Sequence, residues 1–111
     1  MEATLAFYRC LGLSFVEEQH GSGPVHYSSQ VSSTVLEIYP GDDAAQVNRK
    51  HSGATMIGFT IERVDSVIAA VQQLQAPVLT APTDSPWGRR AVILDPDGRA
   101  IEVNESKKID G

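Results

Sequence analysis

The sequence predicts an α+β domain assembled from two related halves. Three observations carry that expectation. Residues 1–39 read as a helix and three strands, and residues 55–104 read as a strand, a helix and three strands. Each half closes on a β-branched run with one carboxylate at its centre: Thr34-Val35-Leu36-Glu37-Ile38-Tyr39, and Arg99-Ala100-Ile101-Glu102-Val103-Asn104. Side chains alternate across a strand, so Leu36 and Ile38 face away from Glu37, and Ile101 and Val103 face away from Glu102. A charge inside such a run costs stability when buried without a partner. Two at equivalent points predict an internal duplication with a polar, concave site between the halves.

The elements follow in order. Met1 to Leu11 is helical, because Leu5, Tyr8 and Leu11 recur at helical spacing and Gly12 suits the stop. Leu13–Glu18, Val25–Gln30 and Ser33–Tyr39 are strand-like, with a turn at His20-Gly21-Ser22-Gly23-Pro24. Pro40 to Gly53 is polar and reads as a connection, with one helical turn expected around Ala44–Val47. Its length favours a link between modules.

The second half opens with a strand at Thr55–Ile61. A helix follows at Asp65–Leu74, with Val67, Ile68, Val71 and Leu74 on one face and Pro77 beyond its end. Asp65 and Ser66 suit its first turn. Val78–Thr80 is a short strand, and Pro82 to Gly88 reads as a loop. Arg90–Leu94 and Arg99–Asn104 are strands joined by the turn Asp95-Pro96-Asp97-Gly98. Ser106 to Gly111 is a polar tail expected to fray. The first half is thus the second half without its opening strand, which would precede Met1.

Size and charge narrow the function classes. A chain of 111 residues is one domain. The net charge of −5, with scattered Lys and Arg, provides no basic stripe for nucleic acid. No apolar run is long enough to span a membrane. The N-terminus has no secretory signature, and the single cysteine, Cys10, fits a reducing compartment. A cytoplasmic location is expected. Phosphate loops, paired-Cys motifs and nucleophile elbows are absent from the sequence.

The order of motifs resembles a known group. Leu5-Ala6-Phe7-Tyr8-Arg9-Cys10-Leu11-Gly12-Leu13, the run Thr34–Tyr39, Gly58-Phe59-Thr60-Ile61 with Val64-Asp65, Pro86-Trp87-Gly88-Arg89-Arg90, and Leu94-Asp95-Pro96-Asp97-Gly98-Arg99-Ala100-Ile101-Glu102 are similar to the glyoxalase / bleomycin-resistance / ring-cleaving dioxygenase (vicinal oxygen chelate) superfamily. The resemblance implies paired βαβββ modules whose curved mixed sheets surround a cleft, the first module lacking its N-terminal strand. On that reading residues 1–111 form a single domain. Module 1 is 1–40, the linker 41–53, module 2 54–105 and the tail 106–111.

The resemblance also implies a site. In metal-dependent members four side chains converge, one from the first and one from the last strand of each module. Glu37 and Glu102 match two of these positions and are the candidate catalytic and metal-binding residues. The third position is Met56, a soft and weak ligand. The fourth lies on the absent strand, so the metal set is incomplete. His26, Tyr39, Trp87 and Arg90 are the candidate ligand-binding residues. A strand histidine can bind a ligand or shuttle a proton, aromatic faces stack on flat molecules, and a guanidinium pairs with an anion. His20 and His51 read as solvated.

Three functions are expected in order. The first is binding of a hydrophobic or aromatic small molecule without an obligatory metal. The second is a metal-dependent glyoxalase-type lyase or ring-cleaving dioxygenase using Glu37 and Glu102 and a divalent ion. The third is a non-catalytic assembly module. A homodimer is expected, because a missing strand leaves a sheet edge unpaired.

Overall fold

A computed structural model describes residues 1–41 and 56–106. The expected helical turn at 44–47, His51 and most of the tail lie outside the described residues. The first helix, α1 (Glu2–Cys10), buries Thr4, Leu5, Phe7 and Tyr8. It stops where Gly12 takes a φ of +94°, a region that disfavours any Cβ, and the Gly12 N–H donates back to the Arg9 carbonyl at 2.9 Å. Three strands follow: β1 (Val16–Glu18), β2 (His26–Val31) and β3 (Thr34–Ile38). They form an antiparallel sheet in that order.

The second half contains β4 (Ile57–Ile61), α2 (Val64–Gln73), β5 (Val78–Ser85), β6 (Gly88–Leu94) and β7 (Ala100–Ser106). Its sheet order is β4-β7-β6-β5, with β4 parallel to β7 and the remaining pairs antiparallel. This is a βαβββ unit with a mixed sheet. The first sheet repeats the order with β3 in the place of β7, but no described strand occupies the place of β4. The outer edge of β3 is therefore unpaired among the described residues.

Burial follows the alternation read from the sequence. Ile101 and Val103 are fully buried while Glu102 is half-buried, and Leu36 and Ile38 pack on the core while Glu37 is exposed. The core joins Phe7, Tyr8 and Leu11 of the first half to Val64, Val67, Ile68 and Val71 of α2 and to Ile93, Ile101 and Val103 of the second sheet. Burying each aliphatic side chain of this kind stabilises by about 1.5–3 kcal/mol. One apolar layer thus holds the two halves together.

One element differs from expectation. The segment Pro82–Ser85 is strand, not loop: Thr83, Asp84 and Ser85 pair with Arg90, Arg89 and Gly88. Register shifts fall between Val78 and Thr80 and between Thr80 and Thr83. Pro82 sits in the second irregularity, where a missing N–H removes no ladder bond. Only Pro86 and Trp87 remain as the connection to β6.

Candidate functional site

The register places five polar or aromatic side chains on one face of the first sheet. Glu18 pairs with His26 and Glu37 with Ser28, and alternation adds Tyr39 to the same face. Tyr39 stacks on the His26 ring with centroids 4.3 Å apart and an interplanar angle of 14°. Its hydroxyl donates to Glu37 Oε2 at 3.2 Å. Burial, then the Glu37 carboxylate, pushes the Tyr39 phenol above its ordinary value. Three of the six residues singled out in the sequence, His26, Glu37 and Tyr39, are thereby brought together.

Two more meet on the second sheet. An Arg90 guanidinium N–H donates to Glu102 Oε2 at 2.8 Å, and the Asn104 amide donates to Glu102 Oε1 at 2.8 Å. Arg90 pairs with Asn104 and Val92 with Glu102 across β6 and β7, so these side chains share the face opposite the core. The Arg90 bond, then the Asn104 bond, hold the Glu102 carboxyl below the usual carboxylate range. Trp87 stands apart at the β5–β6 turn with 85% of its surface exposed.

The Asp95–Gly98 segment is turn chemistry, as its composition indicates. The Asp95 side chain is fully buried. Its Oδ1 accepts backbone N–H bonds from Asp97 and Arg99 at 3.0 and 2.9 Å, and its Oδ2 accepts from the Tyr8 hydroxyl at 2.6 Å and the Arg99 guanidinium at 3.0 Å. Every lone pair of this carboxylate is occupied in locking α1 to the second half.

The donor set at Glu37, Glu102 and Met56 does not fit a divalent ion. Both Glu102 oxygens are engaged, Glu37 is exposed beside Tyr39, and Met56 offers a thioether at a half-open surface. A zinc-type ion needs three or four free, converging donors. No chemical step through a metal at these positions follows from this arrangement.

A different donor set converges on the β1–β2 hairpin. Among the described residues, Glu18, His20 and His26 bring ligand atoms within 4.8 Å of one another. The sequence reading missed Glu18 and treated His20 as a solvated turn residue. The available signal was the Glu-x-His spacing on one arm of a glycine-rich turn, with a histidine opposite on the other. Only the register, Glu18 against His26, turns that spacing into proximity.

Two hollows lie elsewhere. One of about 510 Å³ is bounded by Phe7, Leu74, Pro77, Leu94 and the Asp95–Gly98 turn. A second of about 380 Å³ lies between Leu11–Ser14, Ser29–Ser32 and Phe59–Ile61. Neither is lined by Glu37, Glu102, His26, Tyr39, Trp87 or Arg90.

An α+β fold with a βαβββ half and a second half of the same strand order defines a class of paired-module proteins. The chain matches the family described as Glyoxalase/Bleomycin resistance protein/Dioxygenase superfamily over residues 1–103, and it belongs to that superfamily. No curated protein sequence matches it significantly. Among solved structures it is similar to a glyoxylase/bleomycin resistance protein/dioxygenase domain from Frankia sp. EAN1pec (16% identity, 96% of this chain and 89% of that chain covered, TM-score 0.71). It is also similar to TnmS3, an antibiotic binding protein from Streptomyces sp. CB03234 (21% identity, 95% and 84% covered, TM-score 0.65). A third is the trypanothione-dependent glyoxalase I of Leishmania major (22% identity, 95% and 78% covered, TM-score 0.69). At these identities the likeness establishes the fold.

Proposed function

We propose that this protein binds a hydrophobic or aromatic small molecule on the polar sheet faces, without a metal at the closing-strand glutamates. The observation that carries the reading is the Arg90–Glu102–Asn104 unit. Glu102 is already neutralised by a guanidinium and an amide, so the position needs no ion. Arg90 keeps further N–H donors for a polar group on the ligand. Trp87 and Tyr39 are exposed aromatic surfaces on which a flat molecule can stack. The antibiotic-binding neighbour from Streptomyces has the same fold, which is in keeping with this reading.

Trp87 is the single tryptophan of the chain, so its fluorescence reports on ligand binding directly. Titration with polycyclic aromatic antibiotics is expected to give saturable quenching. Arg90→Ala is expected to weaken binding by about tenfold to a hundredfold, the worth of a charge-assisted hydrogen bond. Chelator is expected to change nothing. The reading fails if the whole panel gives no saturable response and the purified protein holds a stoichiometric divalent ion that Glu102→Gln releases.

A further inference from the structure

We propose that Glu18, His20 and His26 form a binding site for a divalent transition metal of the zinc type on the β1–β2 hairpin. The site shares a sheet face with Glu37 and Tyr39 but uses neither as a ligand.

His26 is 2% exposed, and its Nε2 has no hydrogen-bond partner. A buried polar atom left in that state is costly and calls for an explanation. Its other nitrogen, Nδ1, lies 3.2 Å from the Pro24 carbonyl. A carbonyl can only accept, so the tautomer with its proton on Nδ1 satisfies Pro24 and leaves Nε2 as the ligand atom for an ion. Nε2 lies 3.5 Å from Glu18 Oε2. A cation held between these two atoms gives both a partner.

The other donors are arranged in the same sense. His20 Nε2 lies 3.6 Å from the same Glu18 oxygen. With metal–ligand bonds of about 2.0–2.2 Å, the edge of a tetrahedral site is about 3.3–3.6 Å. Both measured edges match it. All three donor atoms lie within 4.8 Å of one another, and His20, exposed at the turn, is free to close the remaining edge by rotation.

The outer partners that metal ligands require are also present. Ser28 donates to Glu18 Oε1 at 2.7 Å, which leaves Oε2 for the ion. The Pro24 carbonyl orients His26, and the Tyr39 ring stacks against it. A carbonyl on a histidine Nδ1–H and a hydroxyl on a ligating carboxylate are the usual supports of a zinc-type centre. Two imidazoles and one carboxylate suit zinc, cobalt or nickel better than calcium or magnesium, which prefer oxygen ligands. Three protein ligands leave at least one coordination position open to solvent.

The test uses the full chain, stripped of metal and titrated with Zn²⁺ and Co²⁺. One ion per chain is expected, with the intense visible bands of four- or five-coordinate Co²⁺. His26→Gln and His20→Ala are each expected to lower affinity at least tenfold, and Ser28→Ala by about 10–100-fold. Replacing the buried His26 also disturbs packing, whereas the His20 side chain is 78% exposed, so His20→Ala tests the site in a folded chain. The proposal is overturned if Zn²⁺ at micromolar concentration does not bind stoichiometrically. It is equally overturned if His20→Ala leaves affinity unchanged, or if Glu102→Gln abolishes binding. The Trp87 quenching titration, run in chelator, separates failure here from failure of the ligand proposal.

Discussion

At the scale of single residues, Tyr8 is the most heavily committed side chain of α1. Burial, then its bond to Asp95, holds the phenol protonated well above the ordinary value of 10.0. The sign follows from the raised native value. In the unfolded chain the phenol ionises near its ordinary value, while in the native state it stays neutral. Its contribution is therefore complete below that pH and is lost as pH rises beyond it. Tyr8→Phe is expected to destabilise by about 1–2 kcal/mol at neutral pH, because Asp95 loses one buried donor. It is also expected to lose less stability than the parent between roughly pH 9 and 11. Urea unfolding across that range checks both; parallel pH profiles would rule the assignment out. Alternation made Glu37 and Glu102 readable as outward-facing residues. Which glutamate each partner meets depends on the pairing: Arg90 reaches Glu102 across a strand pair, and Tyr39 reaches Glu37 along one strand.

At the scale of elements, α2 begins in a way that its own sequence does not reveal. Its N-cap residue, Arg63, makes no side-chain cap bond. Glu105 of β7 supplies the acceptor instead, taking the Val64 N–H at 2.8 Å. A carboxylate at a helix N-terminus also meets the positive end of the helix dipole. Glu105→Ala is expected to cost about 1 kcal/mol, within the range for losing a cap. Denaturant unfolding measures it, and a change near zero would mean that water replaces the carboxylate. The strand at 82–85 has a different origin, the tight β5–β6 hairpin. Pro82 and Asp84 are turn residues by composition, yet Thr83 and Asp84 pair with Arg90 and Arg89, and that pairing overrides local preference. Both helices were legible because a buried stripe repeats at helical spacing, and this signal is local.

At the scale of the whole molecule, the two-module pattern was legible because it repeats. The hairpin triad was not, because register is decided by pairing across the turn. Among the described residues the outer edge of β3 is unpaired, and it carries the exposed Thr34, Val35 and Glu37. Free edges of this kind pair with other strands unless covered. A homodimer is the expected state, and light scattering at micromolar concentration distinguishes its mass from that of a monomer. A monomeric mass would leave the edge to be covered by other means.

The bond from Tyr8 to Asp95 spans 87 positions of sequence. Closing so long a loop costs chain entropy before any contact compensates for it. Contacts of this kind are completed late on the way to the native state. The variant that flattens the alkaline profile should therefore unfold faster while folding at nearly the parent rate. In stopped-flow experiments the unfolding arm alone would move. One phenol would then act as a latch, setting how long the native molecule lasts and leaving the speed of its formation unchanged.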